Sequence, residues 1–353
     1  METIIEKLAH THDLADSELK TLIETDKFDK ELFSTADAVR RQAYGTDVYI
    51  RGLIEFTNFC KRNCYYCGIR RDNCNAQRYR LTTDEILECC DTGYSLGFRT
   101  FVLQGGEDEY FTDEVMCDIV SAIKTNHPDC VITLSIGERS YETYQKLRIA
   151  GADRYLLRHE TATEEHYEKL HPKSSKLIIR KKCLYDLKQL GYQVGSGFMI
   201  GSPYQTTETI ISDLRFLQEL KPHMIGIGPF ISHGDTPFAN EPSGTFEMTV
   251  RMISILRLMF PESLIPATTA LGTIKKGGRE FGLSVGANVV MPNLSPKSVR
   301  KKYSIYKDKI CTDEEAAEGV AKLRKSVEKA GYNVVTHIGH AKSYISNKGE
   351  SDA

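Results

Sequence analysis

Cys60, Cys64 and Cys67 stand in one short stretch, Phe56-Thr-Asn-Phe-Cys60-Lys-Arg-Asn-Cys64-Tyr-Tyr-Cys67-Gly68, with C-x₃-C-x₂-C spacing and an aromatic residue directly before the third cysteine. Three thiolates can hold three corners of a cubane [4Fe–4S] cluster, leaving one iron without a protein ligand. An open coordination position lets a metal do chemistry rather than only brace a fold. A tetrahedral zinc site instead needs a fourth ligand, and a lone C-x₂-C pair serves zinc ribbons and redox motifs alike. The other cysteines, at 74, 89, 90, 117, 130, 183 and 311, form no second C-x₂-C pair. Cys74 is near enough in sequence to act as a fourth ligand, so zinc stays open on these residues alone.

A cluster with an open iron calls for an outside ligand, and the free amine and carboxylate of S-adenosylmethionine could chelate it. Its sulfonium could accept an electron from the cluster, and homolysis would give methionine and a 5′-deoxyadenosyl radical. The protein then has to hold amine, carboxylate, ribose and adenine, and exclude water. In Gln104-Gly105-Gly106-Glu107 the glycines permit close backbone approach, and carbonyls or the Glu107 carboxylate could receive the ammonium; the alternative is an ordinary glycine turn. Glu160, in Arg158-His-Glu160-Thr161, could accept from ribose hydroxyls or only pair with Arg158. Arg180 has the fork suited to a carboxylate, although Arg180-Lys-Lys182 also reads as a solvated helix start. Gly197-Phe-Met-Ile-Gly201 with Glu208 fits an apolar strand turning beneath an adenine, as many buried strands ending in glycine do. The ring of Tyr66 could lie against the same adenine.

These residues need a frame that brings them to one rim. Residues 1–47 read as helical, with apolar residues at helical spacing (Leu19, Leu22, Ile23). Short apolar runs then alternate with longer amphipathic stretches. Strands are expected near Tyr49–Phe56, Thr100–Gln104, Val131–Ile136, Arg154–Leu157, Gln193–Met199, Met224–Pro229, Leu264–Thr269 and Asn288–Met291. Helices are expected between them, including Thr83–Leu96, Asp113–Thr125, Tyr141–Ile149, Lys176–Leu190, Thr206–Glu219 and Phe246–Met259. Eight strands with helical crossovers predict an α/β chain forming a complete (β/α)₈ TIM-type barrel over 48–311. An N-terminal helical extension precedes it, and a C-terminal helical segment over 312–353 follows, with a disordered tail at Asn347–Ala353. Barrel active sites lie at the carboxyl ends of the strands, and the cysteine loop follows the first strand.

A net charge of −2, with 27% charged residues and only scattered basic runs, gives no polycation for nucleic acid. No apolar run approaches the roughly 20 residues that cross a bilayer. Met1-Glu-Thr-Ile-Ile-Glu-Lys reads as a charged helix rather than a signal peptide, and ten cysteines without an export signal suggest reduced thiols in the cytoplasm.

The cysteine loop resembles the signature of the radical S-adenosylmethionine superfamily, and Gln104–Glu107 and Gly197–Glu208 resemble its further motifs. More narrowly, six stretches resemble the radical enzymes that mature [FeFe]-hydrogenases. They are Tyr65-Tyr-Cys-Gly-Ile-Arg-Arg-Asp-Asn73, Leu103-Gln-Gly-Gly-Glu-Asp108, Gly151-Ala-Asp-Arg-Tyr-Leu-Leu-Arg-His-Glu-Thr161, Gly226-Ile-Gly-Pro-Phe-Ile231, Ile265-Pro-Ala-Thr-Thr-Ala270 and Gly286-Ala-Asn-Val-Val-Met-Pro-Asn293. The resemblance implies a barrel enclosing a cavity, with a [4Fe–4S] cluster and S-adenosylmethionine at its top. It implies an organometallic substrate, a cysteine-bound Fe(CO)₂(CN) unit from a sister maturase, whose sulfur the adenosyl radical attacks in assembling the diiron subsite of the H-cluster. It also implies a maturation scaffold to receive the product and a low-potential electron donor. On this chain it makes Arg154, Thr268 and Thr269 candidates for anion or carboxylate binding, and Tyr303 and Tyr306 candidates for catalytic roles on the substrate side. Some relatives carry extra C-terminal cysteines for a second cluster; here Cys311 is the last cysteine, without near partners, so none is expected. Competing readings are a radical mutase like methylornithine synthase, a sulfur-inserting enzyme like biotin synthase, and a non-catalytic iron–sulfur scaffold.

Overall fold

Short runs rich in Val, Ile and Leu, buried on both faces, favour parallel strands covered by helices. In the computed structural model, which describes residues 2–345, they form such a sheet. The strands are β1 (Asp47–Ile50), β2 (Gly52–Thr57), β3 (Thr100–Gly105), β4 (Val131–Ser135), β5 (Arg154–Leu156), β6 (Gln193–Ser196), β7 (Met199–Ile200), β8 (Met224–Ile225), β9 (Gly228–Pro229), β10 (Val289–Val290) and β11 (Asn333–Val335). Six of them pair in the order β2-β3-β4-β5-β6-β8, with every pair parallel. Helices Thr83–Ser95, Asp113–Asn126, Tyr141–Ala150, Leu177–Gln189 and Thr207–Leu220 connect these strands. Thr82, Thr112, Ser140 and Thr206 cap four of these by accepting an N–H of the first turn, each cap contributing about 1 kcal/mol.

Three expected strands are broken. Tyr49–Phe56 splits at Arg51 into β1, which pairs with β10 and β11, and β2, which pairs with β3. Gln193–Met199 and Met224–Pro229 split into β6, β7 and β8, β9, with β7 and β9 forming a two-stranded sheet. At the first of these breaks Gly197 has φ +155°, and a Cβ there would lie 2.0 Å from the carbonyl oxygen of Gly226, so only glycine fits. Leu264–Thr269 is not a strand: it makes single parallel bridges, Leu264 to Met224 and Pro266 to Val289. Pro266 has no N–H for a ladder, the Ile265 N–H goes to Asn288 Oδ1 at 2.9 Å, and Thr268 already caps helix Thr269–Ile274.

Helices Ile4–Thr11, Asp16–Glu24 and Asp29–Tyr44 precede β1. The third packs on helix Phe246–Met259 and is fixed by Arg251, which grips both oxygens of Asp29 at 2.7 and 2.9 Å. Helix Ala316–Lys329 leads into β11, and the chain then passes the amino-terminal ends of the strands. There Thr100, Arg154 and Gln193, the first residues of β3, β5 and β6, bond to Ile338, Gly339, His340 and Ala341. The expectation for Asn347–Ala353 lies outside the described residues. No helix among those described is long and apolar enough to cross a membrane.

Buried histidines make the fold acid-sensitive. Burial drives His159 and His171 down to about 3 and His223 to about 4. The unfolded chain, with histidines near 6.5, therefore binds protons that the folded chain refuses. Stability is fully present above about pH 6.5 and falls as pH drops toward 4, by up to ~1.4 kcal/mol per pH unit for each histidine. Asp213, 3.3 Å from His159, acts in the opposite sense, because burial raises its carboxyl well above the usual range. Urea unfolding at pH 7, 6 and 5 should show a steep loss, steeper still in Asp213→Asn. A flat profile would contradict neutral buried imidazoles.

Candidate radical cofactor site

The cysteine loop leaves the carboxyl end of β2 and packs on the turn that follows β3. Lys61 N–H donates to the Glu107 carbonyl at 2.9 Å, and Glu107 N–H donates to Cys60 Sγ at 3.4 Å. A Cβ on Gly106 would lie 2.1 Å from the Phe59 carbonyl oxygen and 2.6 Å from Cys60 Cβ, so glycine at 106 is a requirement of this contact. Burial pushes the Cys60 thiol up and Cys64 to about 12; it raises Cys67 too, and charge on the neighbouring cysteines adds to the shift. Cys74 is exposed, and its Sγ faces Asn75 rather than this group. Among the described residues no three His, Cys, Asp or Glu side chains converge as they would on a single ion; thiolates spread around a cubane need not do so. The donor set therefore fits a three-cysteine cluster better than zinc with Cys74. Ligation would remove the thiol protons.

Around the loop the structure gathers most of the expected ligand-holding residues. Tyr66 is half-buried beside Cys64, Glu160 and Arg180. Its hydroxyl is 3.1 Å from His171 Nε2, while His171 Nδ1 donates to the Tyr167 carbonyl at 3.0 Å, so Nε2 is the acceptor. Tyr65 and Tyr66 pack against Leu170, Met199, Phe230 and Phe238, a small apolar cluster suited to a flat ring. Glu160 has φ +66°, a left-handed conformation that costs a carboxylate residue strain. Its Oε2 is 3.0 Å from Arg158 Nη2, yet both atoms are buried without a well-directed hydrogen bond.

Glu107 is spent inside the protein: one oxygen takes Arg62 Nε at 2.6 Å and the other the Glu138 N–H at 3.0 Å. Arg180 is buried on its helix, unlike Lys181 and Lys182, and Glu138 is 2.8 Å away. Neighbouring Tyr167, Glu138, Tyr66 and Glu107 favour its charge more than burial opposes it. Glu208 lies elsewhere, exposed and paired with Lys20 at 2.8 Å.

Gln104, next to the end of β3, lies against buried Tyr303, with Glu55 and Cys67 nearby. Tyr306 faces Thr273, Glu55, Cys311 and Arg279. The Thr268 hydroxyl is occupied as a helix cap on Leu271 N–H. Thr269 lines a cavity of about 210 Å³ with Arg279, Asn293, Lys309 and Cys311. Arg154 is the exception: at the amino-terminal start of β5 it bonds to Ile338 and Gly339 carbonyls at 2.9 and 3.0 Å, away from the cysteines.

Two members escaped the sequence reading. Arg62 sat unnoticed between two cysteines. Glu138 follows Gly137 just past β4, and the strand-end rule applied to Ile136-Gly-Glu138 would have found it.

Comparison with known proteins bears on what this site serves. A family model described as the radical SAM superfamily matches residues 54–217. The [FeFe] hydrogenase maturase subunit HydE of Thermotoga maritima is 48% identical over 304 residues, covering 86% of this chain and 86% of that one. A 3-methylornithine synthase of Methanosarcina barkeri is 32% identical over 301 residues, with 84% of each chain covered. The crystal structure of methylornithine synthase (PylB) superposes with a TM-score of 0.82 at 28% identity, covering 94% of this chain and 97% of that one. Similarity at the level of the Thermotoga protein, sustained over most of both chains, places the chain in the HydE family within the radical S-adenosylmethionine superfamily, as a radical enzyme of hydrogenase maturation.

Proposed function

We propose that this enzyme binds a [4Fe–4S] cluster on Cys60, Cys64 and Cys67 and S-adenosylmethionine at the open iron, and acts on a cysteine-bound Fe(CO)₂(CN) precursor of the H-cluster diiron subsite. When bound, cluster and S-adenosylmethionine together supply a 5′-deoxyadenosyl radical, which attacks the sulfur of that precursor. The observation that carries the reading is the gathering of the half-buried Cys60, Cys64 and Cys67 with Tyr66, Glu160 and Arg180 beside Gln104 and Tyr303. In this reading Arg180 takes the ligand carboxylate and Glu160 the ribose hydroxyls. Tyr66 and its apolar neighbours cover the adenine, and Gly105 and Gly106 let the backbone close on the ammonium. Tyr303, Tyr306, Thr268 and Thr269 face the substrate side. The frame is a complete (β/α)₈ barrel over 48–311, between a helical extension at 1–47 and a C-terminal segment at 312–353. The two single bridges at Leu264 and Pro266 support closure between β8 and β10. Work in the cytoplasm, an electron donor of low potential, a sister maturase upstream and a scaffold downstream complete the proposal.

The test is to reconstitute and reduce the enzyme, then add S-adenosylmethionine with and without the synthetic iron–cysteine complex. Expected are about four irons per chain, formation of 5′-deoxyadenosine, and consumption of the complex followed by radical and iron spectroscopy. No 5′-deoxyadenosine even with substrate would sink the enzyme reading; clearly more than four irons would contradict a single cluster. A mutase is the second reading, on the 32% identity to 3-methylornithine synthase. Formation of 3-methylornithine with the iron complex left untouched would favour it.

A further inference from the structure

Two arginines and two carboxylates are packed together beneath the cysteine loop, and their pairing is uneven. Arg62, between Cys60 and Cys64, donates through Nε to Glu107 Oε2 and through Nη2 to Glu138 Oε2, both at 2.6 Å. These are short, directed, charge-assisted bonds. The second arginine is held differently. Arg180 Nε is 2.8 Å from Glu138 Oε1, but neither atom has a well-directed hydrogen bond, and both are shut off from solvent. Coulomb attraction acts between them without the alignment that makes an arginine–carboxylate pair strong.

The turn carrying Glu138 is built around this arrangement. Gly137 has φ +78°, and a Cβ there would fall 2.1 Å from Glu107 Cγ. Only glycine lets the chain pass, and the pass delivers the Glu138 N–H to Glu107 Oε1 at 3.0 Å. Glu138 therefore has a fixed backbone, one oxygen fixed on the cysteine loop, and one oxygen loosely holding Arg180.

Exchange of partners at Arg180 is then electrostatically permitted. A buried arginine stripped of all counter-charge is costly, and so is a buried carboxylate. A ligand carboxylate reaching the Arg180 fork would supply the directed bonds that Glu138 does not. Glu138, on losing Arg180, keeps Arg62 and is never left an unpaired buried charge.

We propose that Glu138 is a positioning residue that parks Arg180 and yields it to the carboxylate of the bound S-adenosylmethionine, while its other oxygen ties that exchange to Arg62 and the cysteine loop. This rests on the reading of Arg180 given above. It separates Glu138 from a merely structural acid, because parking competes with the ligand. Removing the charge then leaves Arg180 without its nearest counter-ion until the ligand arrives, and tightens binding.

Equilibrium binding of S-adenosylmethionine to the anaerobic, cluster-loaded enzyme tests it. Glu138→Gln should keep its iron and bind about tenfold more tightly than the parent. In an Arg180→Met background the same change should do nothing, since the party it competes for is gone. If Glu138→Gln fails to hold iron, Glu138→Asp is measured instead. It keeps a charge for Arg62 but falls one methylene short of Arg180, and should also bind more tightly. Weakened or unchanged affinity in the iron-loaded variant, or a gain that persists without Arg180, overturns the proposal. Failure of the parent enzyme to bind S-adenosylmethionine at all would instead overturn the reading of the ligand.

Discussion

Cys64→Ala should leave a folded protein that cannot hold its cluster, with iron falling from about four per chain to about one or less and 5′-deoxyadenosine falling to background. Two thiolates cannot fix three corners of a cubane, and the loop around Cys64 has no spare ligand to step in: Cys74, the nearest other cysteine, is exposed and turned toward Asn75. The fold should survive, because the loop is held by other contacts. Arg62 grips Glu107 and Glu138, Lys61 bonds to the Glu107 carbonyl, and Gly68 N–H donates to Ile305. The loss of stability in the metal-free protein should be about 1 kcal/mol, typical of a small buried truncation. Iron quantitation, circular dichroism and product analysis on the same sample separate the effects. Cys74→Ala is the control and should retain its iron. If Cys74→Ala lost metal as fully as Cys64→Ala, a four-cysteine site would return; a Cys64→Ala protein of full activity would refute the assignment.

Arg257→Ala should be the most damaging substitution away from the cysteines, costing about 3–5 kcal/mol of unfolding free energy. The side chain is fully buried and carries no carboxylate partner. It donates to the carbonyls of Gly286, Pro261 and Ser263 at 2.8, 2.7 and 2.8 Å, and to Asn288 Oδ1 at 3.2 Å. Two effects oppose each other. Burial of the charge is unfavourable, enough to bring the guanidinium down to about 10, so its removal relieves about 3 kcal/mol. Against that, four bonds from a charged donor go, at about 1.5 kcal/mol or more each. The acceptors are left unsatisfied, and a large cavity opens where a long side chain stood. Loss outweighs relief. The damage also falls where regular strand pairing is thinnest, because Arg257 binds helix Phe246–Met259 to two segments joined by a single β-bridge, Pro266–Val289, and a few hydrogen bonds around it. Urea unfolding gives the measurement; a midpoint shift worth less than 1 kcal/mol would show that burial relief wins instead.

Where chemistry depends on near neighbours in the chain, the sequence was legible. The three cysteines, the Gly105-Gly106 pair and the helices from Thr83–Ser95 to Phe246–Met259 follow from spacing, caps and apolar periodicity, which act within one or two turns. The placement of Arg154 was not legible. A strand's sequence tells that a residue is in the sheet, but its two ends look alike in composition. Only the register, Arg154 against Thr133 and Gln193, and the chain passing beneath put it on the side away from the cysteines. Leu264–Thr269 failed for a related reason. Its apolar residues promise a strand, while Pro266 and the Asn288 side chain, 22 residues apart in sequence, decide that bridges form instead.

The sequence by itself determined three thiols in one loop, and left Cys74 open as a fourth ligand until the structure showed it exposed and turned toward Asn75. Tertiary structure decided what surrounds the three thiols. Arg62, Glu107, Glu138 and Arg180 come from the cysteine loop, two strand-end turns and a helix, and only their burial together fixes which charges pair. Ion pairs are read from distance and dielectric, and neither is written in the order of residues along a chain.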